Sequence, residues 1–104
     1  MTRPSPLTAD QIASALDDLS GWTVVDAKLH QEFHFADFST AFGFMAACAT
    51  VAQAMDHHTE WSNVYSTVVV DLSTHDAGGI TELDVELAGR VSGFAETFGN
   101  DSGD

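Results

Sequence analysis

Basic residues are nearly missing: Arg3, Lys28 and Arg90 stand against sixteen Asp and Glu, a formal charge of −13 over 104 residues. A surface that neutralises phosphates needs clustered Lys and Arg, so the sequence predicts no direct nucleic-acid binding and no attachment to anionic membranes. Lys so scarce beside abundant Asp resembles proteins of high-salt cytoplasms, where screening relieves self-repulsion. Cysteine occurs once, at Cys48 in an apolar segment. It has no partner for an internal disulfide and reads as a reduced, buried, inert thiol. No apolar run approaches the roughly 20 residues that span a bilayer. The N-terminal "MTRPSPLTADQ" lacks the apolar stretch of a signal peptide, which predicts a cytoplasmic protein. A βαβ rhythm, a glycine-rich phosphate loop and internal repeats are all absent, which argues against a Rossmann-like nucleotide site.

What remains is enough for one core. The hydrophobic content is 44%, with seven Phe and two Trp, and the length suits a single domain spanning 1–104. Residues 1–6 and 99–104 are expected to be loose. Thr8-Ala9-Asp10-Gln11 fits a capping box, Leu7 and Ile12 a hydrophobic staple, and Ile12, Leu16 and Leu19 an apolar stripe, with Gly21 ending the helix. "WTVV" (22–25) reads as a short strand and "DAK" as a turn. From 28 to 35, Lys28, His30, Glu32 and His34 alternate with Leu29, Gln31, Phe33 and Phe35, the period of a half-buried antiparallel strand with His30 and His34 on its polar face.

Residues 38–55 predict a helix capped by Asp37 or Ser39 and apolar almost all round. Phe38, Phe42, Met45, Ala49 and Ala52 make one stripe, and Ala41, Phe44, Cys48, Val51 and Met55 a second. A surface helix needs only one, so this one is expected to be covered on both sides, by its own sheet and by a neighbouring subunit. From Asn63 to Ser73 a second alternation places Val64, Val68, Val70 and Leu72 on one side, with a bend or break at Ser66. "THDAGG" (74–79) is a loop, and Thr81 caps a last helix along Leu87, Val91, Phe94 and Phe98. The order is α-β-β-α-β-β-α. It predicts an α+β domain, a four-stranded antiparallel sheet with three helices packed on one face.

Chemistry concentrates around "DHHTEW" (56–61) and the later "STHD" (73–76). Adjacent His57 and His58 point in different directions, and no spacing matches a zinc pattern, so no metal is expected. Cys48 lacks a neighbouring base, and no serine sits on a nucleophile elbow. Three histidines, His57, His58 and His75, suit general acid–base work, because imidazole titrates near neutrality and can give or take a proton. The same residues could instead cap a helix end and decorate a turn. Trp61 and Tyr65 could pack on the sheet or form a wall for a flat ring. Asp84, at the third position of the last helix, could support its first turn or orient a histidine.

"MDHHTEWSNVYSTVVVDLSTHDAGG" resembles the signature region of the pterin-4a-carbinolamine dehydratases, whose pattern runs Asp/Asn-His-His-Pro-x-Trp, Asn-Val-Tyr, a strand, then Ser/Thr-Thr-His-Asp/Glu. The likeness extends from about residue 20 to 95. It implies the sheet-and-helices fold read above, assembly as a homodimer or homotetramer, and no metal or cofactor. The implied reaction removes water from 4a-hydroxytetrahydropterin to give quinonoid dihydropterin. Carried over by position, His57 and His75 become the proton-transfer residues and His58 a substrate-orienting one. Asp56, Trp61, Ser73, Thr74 and Asp84 match positions at the pterin site. Thr59 replaces the usual proline, Ser62 an aromatic, and Gln53 a glutamate. Some relatives with this fold bind a transcription factor or act in assembly without catalysis, the competing reading of the same likeness.

Overall fold

The computed structural model describes residues 4–101. It holds α1 (Ala9–Leu16), β1 (Thr23–Val25), β2 (Lys28–His34), α2 (Phe38–Met55), β3 (Glu60–Val64), β4 (Thr67–Leu72), a 3₁₀ turn His75–Ala77, and α3 (Glu82–Thr97). The strands form one antiparallel sheet in the order β1-β2-β4-β3, as the α+β reading expects.

The alternation of β2 works as predicted. Leu29 and Phe33 are 1% exposed and, with Phe35, face the helices, while Lys28, His30, Glu32 and His34 lie on the open face. There Lys28 Nζ meets Glu60 at 2.7 Å, His30 Nδ1 meets Asp71 at 2.8 Å and His34 Nε2 meets Glu32 at 2.9 Å. Gln31, on the helix side, carries the one buried side-chain polar atom without a partner among the described residues, its Oε1.

Two sequence expectations need correction. The 63–73 stretch does break, at Tyr65 and Ser66, but the break reverses facing. Val64 pairs with Thr67 on the open face and is 76% exposed, whereas Val68, Val70 and Leu72 are fully buried. A two-residue turn makes opposed positions share a face, so parity counted straight through it fails. Tyr65 takes a left-handed φ of 52°, braced by Asn63 Nδ2, which donates to the carbonyls of Tyr65 and Thr67. The first helix stops at Leu16, before Gly21. Leu19 nevertheless reaches the core from the turn that follows, and Gly21 supplies a φ of 88° at the turn's end.

α2 runs over the predicted residues, with Asp37 as the cap: its Oδ1 accepts the Thr40 N–H at 2.8 Å. One stripe, Ala41, Phe44 and Cys48, is fully buried against the sheet. Burial pushes the Cys48 thiol pKa up to about 12. Phe38 and Phe42, from the other stripe, are 47% and 57% exposed, and their rings sit 5.8 Å apart. By length and composition alone α2 is apolar enough to cross a membrane, although no bare run in the sequence predicts a span. The stripe facing the sheet accounts for much of that apolar content.

Hydrogen bonds hold Leu7 and residues 99–101 to the body of the domain. Leu7 N–H donates to Ile80 C=O at 2.8 Å. At the other end Asn100 Oδ1 accepts the His34 N–H at 2.8 Å, and Asp101 N–H donates to His34 C=O at 2.8 Å. Residues 99–101 thus sit against the free edge of β2 beyond β1. Residues 1–3 and 102–104, also expected to be loose, lie outside the described residues.

Candidate active site

The end of α2 positions the first histidine. Asp56 adopts the left-handed conformation at φ 53°. Its N–H donates to Gln53 C=O at 3.1 Å and the His57 N–H to Ala52 C=O at 3.0 Å. That pair of bonds is a Schellman motif, and it turns the chain so that His57 points back beneath the helix while His58 stays exposed. His75 arrives from β4 through Ser73 and Thr74, at the head of a 3₁₀ turn closed by Gly78 at φ 74°. Thr74 N–H donating to Gly79 C=O at 2.9 Å pins the base of that turn.

These two corners meet. Asp56, His57, His58, Ser73, Thr74 and His75 line one cavity of about 330 Å³, completed by residues that include Pro4 and Leu83. Six of the eight residues expected at the site are therefore in one wall. A larger cleft, about 840 Å³, lies between the 18–21 turn, β2 and α3. Its only histidine, His30, is engaged with Asp71, so the proton-transfer groups select the smaller cavity. Pro4 was not signalled, because a short polar terminus gives no hint of where it docks.

The other two residues are elsewhere. Trp61 pairs with Val70, packs half-buried against the core and is not in the cavity wall. Asp84 is 0% exposed and acts on the site from behind. His57 Nε2 lies 2.5 Å from Asp84 Oδ1. Asp84 Oδ2 accepts the Thr74 hydroxyl at 2.9 Å and the Thr81 N–H at 2.8 Å. The Thr74 and Thr81 hydroxyl oxygens are 2.6 Å apart, and Thr81 Oγ1 accepts the Leu83 N–H at 3.2 Å.

The direction of the hydroxyl bonds in this cluster follows from counting protons. A hydroxyl has one to give. Thr74 gives its proton to Asp84, so Thr81 gives its own to Thr74. Thr74 lines the cavity, but its hydroxyl proton is committed to Asp84. The capping box of α3 and the support of His57 are the same carboxylate. Thr81 is the member sequence reasoning read only as a helix cap, and spacing alone gives no sign of its second bond. Among the described residues no cluster of His, Cys, Asp or Glu is arranged to hold a metal.

Comparison with known proteins gives the family. The family model described as "Pterin 4 alpha carbinolamine dehydratase" matches residues 5–94. A protein of Solibacter usitatus named "Putative pterin-4-alpha-carbinolamine dehydratase" is 54% identical over 89 residues, 86% of this chain and 94% of its own. One of the same name from Bradyrhizobium sp. (strain ORS 278) is 53% identical over 91 residues, 86% of this chain and 91% of its own. A Brucella melitensis structure described as "transcriptional coactivator/pterin dehydratase" superposes with a TM-score of 0.86 at 45% identity, covering 88% of this chain and 99% of that one. The chain belongs to the pterin 4 alpha carbinolamine dehydratase family.

Proposed function

We propose that this protein removes water from a 4a-hydroxytetrahydropterin to give the quinonoid dihydropterin. The observation that carries the proposal is the convergence of His57, His58 and His75 on one cavity. In the reaction the C4a–O bond breaks as the N5 lone pair forms the C4a=N5 bond. One proton is delivered to the leaving hydroxyl and one is taken from N5, so the products are water and the dihydropterin. No electron carrier is needed. The site must hold a proton donor and an acceptor together, and imidazoles serve as either near neutral pH.

His57 and His75 are the proton-transfer residues of this reading. His58, exposed at the rim, orients the ring, with Asp56 and Ser73 beside it. Asp84 positions His57. The test is to generate the carbinolamine in situ and follow dihydropterin formation. Wild type accelerates it over buffer, and His75→Ala loses about 10²–10⁴-fold, the usual worth of a general acid or base. A wild-type rate equal to buffer at both low and high salt sinks the proposal.

We further propose that the protein assembles as a homo-oligomer through α2. Phe38 and Phe42 stand 47% and 57% exposed on α2, and covering the rest of each ring is worth about half of the roughly 1.5–3 kcal/mol for full burial of such a side chain. Sedimentation tests this: Phe38→Ser with Phe42→Ser should shift a dimer or tetramer to monomer. A wild-type monomer refutes it. A non-catalytic role as a binding or assembly protein is the second reading. It draws on the same exposed face and on the coactivator description of the Brucella melitensis structure.

A further inference from the structure

From the directed hydrogen bonds behind the cavity we infer that His57 exchanges protons only through Nδ1, with Asp84 and Thr74 as the positioning residues that reserve Nε2. The inference rests on the dehydratase reading for its consequence in turnover but not for its geometry.

Asp84 is enclosed, at 0% exposure, and its Oδ2 already receives two donors, the Thr74 hydroxyl and the Thr81 N–H. As a carboxylate, with donors already on Oδ2 and Oδ1 lying 2.5 Å from an imidazole nitrogen, Asp84 can only accept from all three. His57 must therefore present Nε2–H to Oδ1. In the neutral ring the other nitrogen is then a bare acceptor. Nδ1 has no hydrogen-bond partner among the described residues, nor is it among the buried unpartnered atoms, of which Gln31 Oε1 alone is found. His57 is part of the cavity wall, so the free nitrogen is the one a ligand meets. A proton taken from substrate sits on Nδ1 and leaves from Nδ1, and Asp84 never carries it.

Thr74 keeps this arrangement in register. Its hydroxyl takes the Thr81 proton and gives its own to Asp84, so it cannot rotate to offer a donor to His57 or to substrate without breaking two buried bonds. Thr74 also sits next to His75, so one residue ties the two histidine-bearing corners to the same carboxylate.

The test is ¹⁵N-edited NMR of the imidazole nitrogens of His57 in the full chain, with turnover measured in parallel. Wild type should carry the neutral-state proton on Nε2 and leave Nδ1 unprotonated. In Asp84→Asn the amide oxygen faces the Thr74 and Thr81 donors and its NH₂ turns to the ring, so the proton should move to Nδ1. The dehydration rate should fall about 10²–10⁴-fold, because the wrong tautomer has no acceptor in the cavity. Thr74→Val should keep the wild-type tautomer and lower the rate about tenfold, with Thr74→Ser restoring it. A wild-type proton on Nδ1, or an unchanged tautomer in a folded Asp84→Asn, overturns the assignment. Full activity in Thr74→Val overturns the role of Thr74. Absence of turnover in wild type leaves the NMR result standing and refutes only the dehydratase reading.

Discussion

The two capping boxes of this protein share one reciprocal pattern and differ in burial and in the Thr74 partner of Thr81, so Thr81→Ala against Thr8→Ala measures what the buried cluster adds. At α1, Thr8 Oγ1 accepts the Gln11 N–H at 3.1 Å and Gln11 Oε1 accepts the Thr8 N–H at 2.8 Å, both bonds exposed. Water replaces the lost hydroxyl there, so Thr8→Ala should cost about 0.5–1 kcal/mol, the low end for a cap. At α3, Thr81 is 0% exposed. Removing its hydroxyl strands the Leu83 N–H and takes away the donor that Thr74 receives. A partly buried N–H left unpaired and a buried hydroxyl that keeps only its bond to Asp84 cost up to about 1–3 kcal/mol each, partly relieved by relaxation, so Thr81→Ala should cost about 2–4 kcal/mol. That is a large share of the roughly 5–15 kcal/mol that holds a domain together. Urea unfolding followed by circular dichroism reads both values, with an unchanged m-value showing that the transition itself is the same. Equal costs for the two variants, or a Thr81→Ala cost below about 1 kcal/mol, would show that the buried cluster does not carry the energy assigned to it.

Further outcomes follow from single features. The buried Cys48 thiol, with its pKa pushed up to about 12, should resist a thiol reagent at neutral pH in the native protein and react fully in urea. The Thr40 hydroxyl and backbone N–H hold the Asp37 carboxyl pKa below its ordinary 3.8. A lowered folded-state value means the cap stabilises above the unfolded pKa and is lost as pH falls through the folded one. The stability advantage of wild type over Asp37→Asn should therefore be present near neutrality and vanish in acid below about pH 4. Asp26 and Ala27 both take positive φ, 52° and 63°, in the turn between β1 and β2. Ala27→Gly should raise the melting temperature, since relief of about 1 kcal/mol of left-handed strain outweighs the entropy glycine adds. A lower melting temperature would contradict that.

Much of this architecture was legible because it rests on local signals. The α2 boundaries follow from an Asp cap and apolar residues at helical spacing, and β2 from strict alternation. What sequence could not show depended on contacts across the chain. Val64 was misplaced because facing after a turn depends on how many residues the turn takes. Trp61 and Asp84 carry signature positions, yet one packs on the core and the other stands behind His57. A motif records that a residue is needed near a site, while only the fold says which atom it touches. Thr81 shows the same limit, since a helix cap and the far end of a histidine support read identically in one dimension.

Chemical rescue asks whether imidazoles at the cavity move the protons of dehydration. His75 is exposed on its turn, so His75→Ala opens a space that free imidazole can enter. The expected result is a slow variant whose carbinolamine dehydration recovers saturably with added imidazole, and not with a non-titrating ring of similar size. A variant that turns over at the wild-type rate, or one that neither imidazole nor any other small base restores, would contradict it.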